Sequence, residues 1–288
     1  MIHRLGDPGA LRAACGDDDL VVWTGQDLRG RARAWALREA VVAAAPGIAR
    51  HDRLAVWGDP DDAAELVRHA LAELGPTFRP LGERELMRRV AARLEGVTES
   101  GAFSWMSLPG PPRPRPGQAG APPRDAGPRD AGPLDAGPAG GPAVGPTSAV
   151  GWPGGEAAGP TSAVGWLDGA AEREIAALLA GDAPASYAVP GAAGVRRWAG
   201  VRVGRELAAV AADAWSAPSV GLLAGVATAA RFRGRGLAER VCGWMSSQLV
   251  ATHGRAALMV DDVNAAAIKV YERIGYRRRL VLACHVAG

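Results

Sequence analysis

The stretch Gly225-Val226-Ala227-Thr228-Ala229-Ala230-Arg231-Phe232-Arg233-Gly234-Arg235-Gly236-Leu237-Ala238 decides the fold. An apolar run from Val220 to Thr228 enters it, suited to a central strand covered on both faces. A helix leaves it from about Leu237, with Leu237, Val241, Met245 and Leu249 stacked on one stripe. Between them lies a turn of glycine and arginine. The first N–H groups of a helix lack internal partners and the dipole adds positive potential, so the turn reads as an anion site. Gly234 and Gly236 bring no side chains to keep a phosphate away, and Arg231, Arg233 and Arg235 add neutralising charge. A P-loop needs a lysine directly after its last glycine, and the one lysine of the chain is Lys269. A dinucleotide fingerprint needs Gly or Ala at 239, which is Glu239, although Asp261 mimics its ribose-binding acid. The plain alternative is a solvated basic face.

Working outward, Ala256 to Val260 is a second buried strand. Asn264 caps a helix ended by Gly275, and Tyr276 to Val286 makes a last strand. On the N-terminal side, Ala171 to Leu179 reads as a short helix. Val195 to Val201 and Glu206 to Trp215 form a hairpin across Gly204, and Pro218 ends it. Strand, crossover helix and strand imply a parallel pair with a ligand crevice at the strand ends.

Two segments together resemble a known family. Arg233-Gly234-Arg235-Gly236-Leu237-Ala238 is similar to the R-x-x-G-x-G/A motif of the GNAT superfamily of N-acetyltransferases. Asn264-Ala265-Ala266-Ala267-Ile268-Lys269-Val270-Tyr271-Glu272-Arg273-Ile274-Gly275-Tyr276 is similar to its N-x-x-A-x-x-x-Y-x-x-x-G-[FY] helix, in the same order and with a strand between. The resemblance covers residues 166–288. It implies an α/β (α+β) fold: a mixed, mostly antiparallel sheet with a parallel strand pair around an acyl-CoA cleft, plus a small N-terminal α/β region.

The resemblance also implies the chemistry. Acetyl-CoA is the expected cosubstrate, with no metal. Its pantetheine arm pairs with the backbone of Val226, Ala227 and Thr228, and its pyrophosphate lies on Arg231, Arg233, Gly234, Arg235, Gly236, Leu237 and Ala238, with Asn264 at the cleft. A backbone N–H, that of Val226, steadies the oxyanion, and Tyr271 gives its proton to the departing thiolate. A core tyrosine packed beside Val270 and Ile274 is the plain reading of Tyr271. Asp213 is the first candidate for the base and Glu206 the second, each set against a solvated strand residue. The acceptor is a small-molecule or peptide amine, and a homodimer is allowed. The alternative is a non-catalytic acyl-CoA sensor or scaffold.

The N-terminal region, residues 1–107, has its own pattern. Leu20-Val21-Val22-Trp23 and Leu54-Ala55-Val56-Trp57 read as short buried strands, and Ala102 to Met106 as a third. Asp59-Pro60-Asp61-Asp62 opens a helix to Leu74, and Glu83 to Leu94 is a second helix. No phosphate turn is present, so the region reads as a degenerate copy of the fold that completes the sheet or walls the acceptor pocket. His3, His51 and His69 are scattered and suggest no site. Residues 108–165 read as a flexible linker, with Asp-Ala-Gly-Pro three times, at 125–128, 130–133 and 135–138, and Gly-Pro-Thr-Ser-Ala-Val-Gly-Trp twice, at 145–152 and 159–166.

Composition narrows the classes. A 48% hydrophobic content suits a globular core. Cys15, Cys242 and Cys284 have neither disulfide nor zinc spacing, and no setting suggests a nucleophile. His253 and His285 read as surface residues. No signal peptide or membrane span is legible, so a cytoplasmic location is expected, with no membrane partner. The net charge of +3 is uneven. From Arg231 onward ten Lys and Arg stand against four Asp and Glu, as suits an anionic ligand. One short Arg/Gly cluster lacks the aromatic interleaving of nucleic-acid-binding segments, so no nucleic-acid partner is expected.

Overall fold

The computed structural model describes residues 1–112 and 160–287. Most of the expected linker, including the Asp-Ala-Gly-Pro repeats and the first octapeptide, lies outside these residues. Its two ends belong to the fold: one strand runs on to Leu108, and Thr161 bridges to Val203.

The first half of the chain carries β1 (His3–Arg4), α1 (Pro8–Ala14), α2 (Asp19–Gly25), β2 (Arg33–Leu37), β3 (Ala40–Ile48) and β4 (His51–Gly58). It continues with α3 (Pro60–Leu74), β5 (Phe78–Glu83), α4 (Arg84–Ala91) and β6 (Val97–Leu108). The second half carries β7 (Gly165–Leu167), α5 (Glu172–Asp182), β8 (Val195–Val203), β9 (Glu206–Ala214) and β10 (Gly221–Thr228). After the glycine-arginine turn come α6 (Leu237–His253), β11 (Ala256–Asp261), α7 (Ala265–Ile274) and β12 (Arg277–Val286).

All strands join one sheet in the order β1-β2-β3-β4-β5-β12-β6-β11-β10-β9-β8-β7. Its pairs are antiparallel except β4 with β5 and β10 with β11. The halves repeat one plan: a first edge strand, one or two helices, three further antiparallel strands, a crossover helix, a parallel strand, a helix and a last strand. Each last strand is inserted into the other half. β6 lies between β12 and β11, while β12 lies between β5 and β6. The expected boundary at 107 and 166 therefore divides the sequence and not the sheet.

Local sequence explains most elements. On α6, Leu237, Val241, Met245 and Leu249 are all buried, as their spacing requires. Asn264 caps α7 by accepting from the Ala267 N–H at 3.1 Å, and Gly275 follows with φ 119°. Leu20-Val21-Val22-Trp23 is a correction, since these residues form α2 and not a strand. The Asp18 carboxylate caps the N–H groups of Leu20 and Val21, and a short apolar run buried all round has no period to distinguish helix from strand. Against the sheet Trp23 packs on Trp105 of β6, ring centroids 5.3 Å apart, and its indole donates to the Trp215 carbonyl at 2.8 Å. Among the described residues, no helix is long and apolar enough to cross a membrane.

Because β6 and β12 interleave the halves, calorimetry should record one cooperative unfolding transition, and two separated ones would contradict the shared sheet. Trp105→Ala should lower stability by about 3–5 kcal/mol in denaturant unfolding, the range for emptying a buried tryptophan site.

Candidate functional site

The parallel pair of the second half opens. β10 and β11 are in register only from Gly221–Ala256 to Leu223–Leu258. Beyond Leu223 β11 leaves that edge of β10, so the following backbone groups are not used by the sheet. On the other edge, the register with β9 breaks between Ala224 and Ala227. Gly225 sits in this bulge with φ 59°, a backbone position that favours glycine. A Cβ there would meet the Trp198 ring at 2.6 Å. The residues expected to hold the pantetheine arm, Val226, Ala227 and Thr228, thus lie on a strand whose edge is free toward β11. Thr228 Oγ1 is buried without a hydrogen-bond partner among the described residues. An unpaired hydroxyl and an unpaired strand edge fit an extended polar ligand such as pantetheine.

The turn after β10 is ordered by its own charges. Arg233 donates from Nε to the Thr228 carbonyl at 3.2 Å and from Nη2 to Asp182 Oδ1 at 2.9 Å. Arg231 donates from Nε to Glu206 Oε2 at 2.8 Å. Arg235 makes no ion pair among the described residues, and its guanidinium stands 5.4 Å from the Phe232 ring centre. The Arg231–Glu206 pair is exposed on both sides and worth about 0–1 kcal/mol, so Arg231 can turn to an anion at small cost, whereas Asp182 is mostly covered and also accepts the Ala230 N–H at 2.9 Å. Gly234 and Gly236 have φ of 76° and 71°, and a Cβ on either would meet nothing within 4 Å. Leu237 fills the core, and Ala238 follows it in the first turn of α6.

The splayed strands lead into a cavity of about 550 Å³. β10 contributes Leu222 to Val226, β11 contributes Met259 to Asp261, and Asn264, Ala267 and Tyr271 stand on and before α7. Tyr271 is buried at 6% exposure. Burial raises its phenol well above the usual tyrosine range, with lesser contributions from Cys242 and Tyr276, so it stays protonated at neutral pH. Its neighbour Tyr276 shares a hydrogen bond of 2.8 Å with Ser246, whereas the Tyr271 hydroxyl has no such bond among the described residues. Burial pushes the Cys242 thiol up to about 12, which makes it inert.

Asp213 is a correction. It is buried at 1% exposure, but it does not line the cavity. Oδ1 accepts from Ser216 Oγ at 2.6 Å and Oδ2 from Arg197 Nε at 3.2 Å, while Ser216 Oγ accepts the Leu222 N–H at 2.8 Å. Its carboxylate thus holds the turn before β10. Glu206 is engaged by Arg231 on the surface. His253 is also corrected: it is buried, with Nδ1 3.2 Å from the Pro218 carbonyl oxygen.

The opposite wall comes from the first half, one of the two roles expected of it, but through residues the sequence did not single out. His51, Arg53 and Arg79 all line the cavity, together with Ala49 and Phe103. The sequence signal was faint: an arginine at the front of an apolar strand, Arg53 before Leu54, with no motif around it. The loop between α5 and β8 contributes Tyr187, and the turn after β9 contributes Trp215, which holds an unusual left-handed φ of 54°.

With this geometry in view, the relatives can be placed. Residues 199–284 match the family described as FR47-like protein. No curated protein sequence matches the chain. A GCN5-related N-acetyltransferase from Kribbella flavida is 18% identical, with 97% of this chain and 96% of that chain covered and a TM-score of 0.52. A GCN5-related N-acetyltransferase from Sphaerobacter thermophilus is 13% identical, covers 99% and 94%, and has a TM-score of 0.50. A Drosophila protein is 12% identical, covers 99% and 98%, and has a TM-score of 0.51. The fold is therefore the GNAT fold, built from both halves of the chain. Its second half carries the FR47-like sequence pattern over residues 199–284.

Gly225→Ala should destabilise the protein by about 1–3 kcal/mol in denaturant unfolding, the range for forcing a side chain into left-handed backbone. An unchanged midpoint would mean that the bulge is not strained.

Proposed function

We propose that the protein transfers an acetyl group from acetyl-CoA to an amine in a ternary complex. One observation carries the reading: the strand pair β10–β11 splays ahead of the glycine-arginine turn and opens into the cavity lined by the buried residue Tyr271, whose hydroxyl makes no hydrogen bond among the described residues. Acetyl-CoA supplies an acyl group activated as a thioester. In this reading the backbone of Val226 to Thr228 binds the pantetheine arm, and the turn from Arg231 to Ala238 binds the pyrophosphate, with Arg235 paired to no carboxylate among the described residues. The Val226 N–H, in the bulge, serves the carbonyl oxygen as negative charge builds there.

The nitrogen–carbon bond forms as the carbon–sulfur bond breaks. The amine loses one proton and the leaving thiol gains one. Tyr271 supplies the proton to sulfur, and its raised pKa keeps that proton available. On the amine side, His51 and Asp261 are the cavity groups able to take a proton, in place of the Asp213 first expected. His51 titrates below the usual imidazole range because of burial and the nearby Arg53 and Arg79, so its ring is neutral and can accept.

Calorimetric titration with acetyl-CoA and amine-dependent thiol release test the reading together. Tyr271→Phe should keep acetyl-CoA binding and lower the rate by about 10²–10⁴-fold, the usual contribution of a positioned acid. Gly236→Glu, which puts a negative charge at the helix start, should abolish binding. Binding without thiol release on any amine would leave the sensor reading standing, and no binding would remove both.

A further inference from the structure

We infer that the amine acceptor carries a carboxylate, which docks between Arg53 and Arg79 on the cavity wall. The inference rests on the acetyl-transfer reading and names its substrate class. Arg53 on β4 and Arg79 on β5 are direct partners in the register of the parallel pair. Partnered residues on adjacent strands face the same way, and like charges so placed destabilise a sheet. Both line the cavity, as does His51, two residues before Arg53 and on the same face.

Arg53 is buried at 5% exposure, and no carboxylate among the described residues pairs with it. Its Nε and Nη2 donate to the carbonyls of Ile48 and Ala49, at 3.3 and 3.4 Å, and its guanidinium stands 6.0 Å from the Trp23 ring centre. Nη1 makes no hydrogen bond among the described residues. Arg79 Nη1 approaches His51 Nε2 at 3.5 Å, and no carboxylate among the described residues pairs with it. The acid nearest in sequence, Asp52, is turned away: it accepts from the Gly47 N–H at 2.9 Å and from the Thr77 hydroxyl at 2.8 Å. Burial in first place, then Arg79, holds the Arg53 guanidinium down to about 10. A buried cation beside a second cation, with no carboxylate paired to either among the described residues, is tolerated where an anion completes it.

The geometry selects the anion. Two arginines at partnered strand positions on one cavity wall suit a two-oxygen anion, which can accept from the Nη1 group of Arg53 and from Arg79. The cavity joins this pair to Tyr271 and the bulge at Gly225 and Val226, so a carboxylate held at one end leaves the amine of the same small molecule toward the acyl carbon. The products expected are N-acetylated amino acids or similar amino carboxylates.

The test compares amino acids with their carboxamides, glycine with glycinamide and phenylalanine with phenylalaninamide. Thiol release and calorimetric binding of the N-acetyl products are measured on the full chain. Free carboxylates should be preferred through a lower KM. Arg79→Gln, at the rim of the pair, should weaken their binding by about ten- to a hundredfold, the size expected for a charged hydrogen-bonded pair. Arg53→Met should do the same, and both variants should bind acetyl-CoA like the parent, which also shows that they fold. Equal use of carboxamides, or binding unaffected in Arg79→Gln, would overturn the inference and leave the transferase reading intact. Weakened acetyl-CoA binding in Arg79→Gln would overturn it too, by making the pair a contact for CoA phosphate. A parent that does not bind acetyl-CoA would remove both readings at once.

Discussion

Strands β6 and β12 hold each other along their length, from Arg277 against Ser107 to Val286 against Val97, and neither would have a complete sheet without the other. A strand with one unpaired edge exposes a row of backbone donors and acceptors, and a sheet of this size must either cover or pair them. Here each half of the chain pairs the open edge of the other. β12 covers β5, and β6 covers β11. The catalytic-looking cleft depends on this arrangement. The same exchange that closes the sheet brings β4 and β5 of the first half to the wall opposite Tyr271.

The two halves share a plan but divide the chemistry. Where β10 runs into a glycine-arginine turn, β4 ends at Gly58 and α3 starts at once behind Asp59, whose carboxylate accepts from the N–H groups of Asp61 and Asp62. A helix start already occupied by its own acids repels a phosphate. β4 and β5 also stay in register over five residues, Asp52–Phe78 to Val56–Gly82, so no cleft opens between them. The first half supplies the same scaffold, and a face of its strands forms a wall of the cavity.

Sequence patterning was most legible where chemistry and periodicity coincide. The segment from β10 to α7 has a strand, a glycine-rich turn, a four-residue apolar stripe and a capped helix, each with its own local cause, and all of them stand as expected. Strands β2 and β3 are rich in alanine, whose small side chain marks neither period strongly, and β5 is six residues long with Pro80 and Gly82 inside it. α2 was hidden because it is apolar on every side. Asp213 misled for a related reason: nearly every residue of β9 is buried, so alternation could not say which face reached the cavity. The wall of His51, Arg53 and Arg79 had no local signature at all, because it exists only once β4 and β5 are brought to the second half by the closing of the sheet.

The exchange of last strands also bears on how the protein is made. β5 leaves the ribosome early, yet its partner β12 is synthesised after every other strand of the sheet. Until then the nascent first half has an unsatisfied edge, and its long-range pairing is slow to form because so much chain separates the partners. During synthesis this edge is the surface on which a chaperone would act, and on which neighbouring nascent chains would cross-pair.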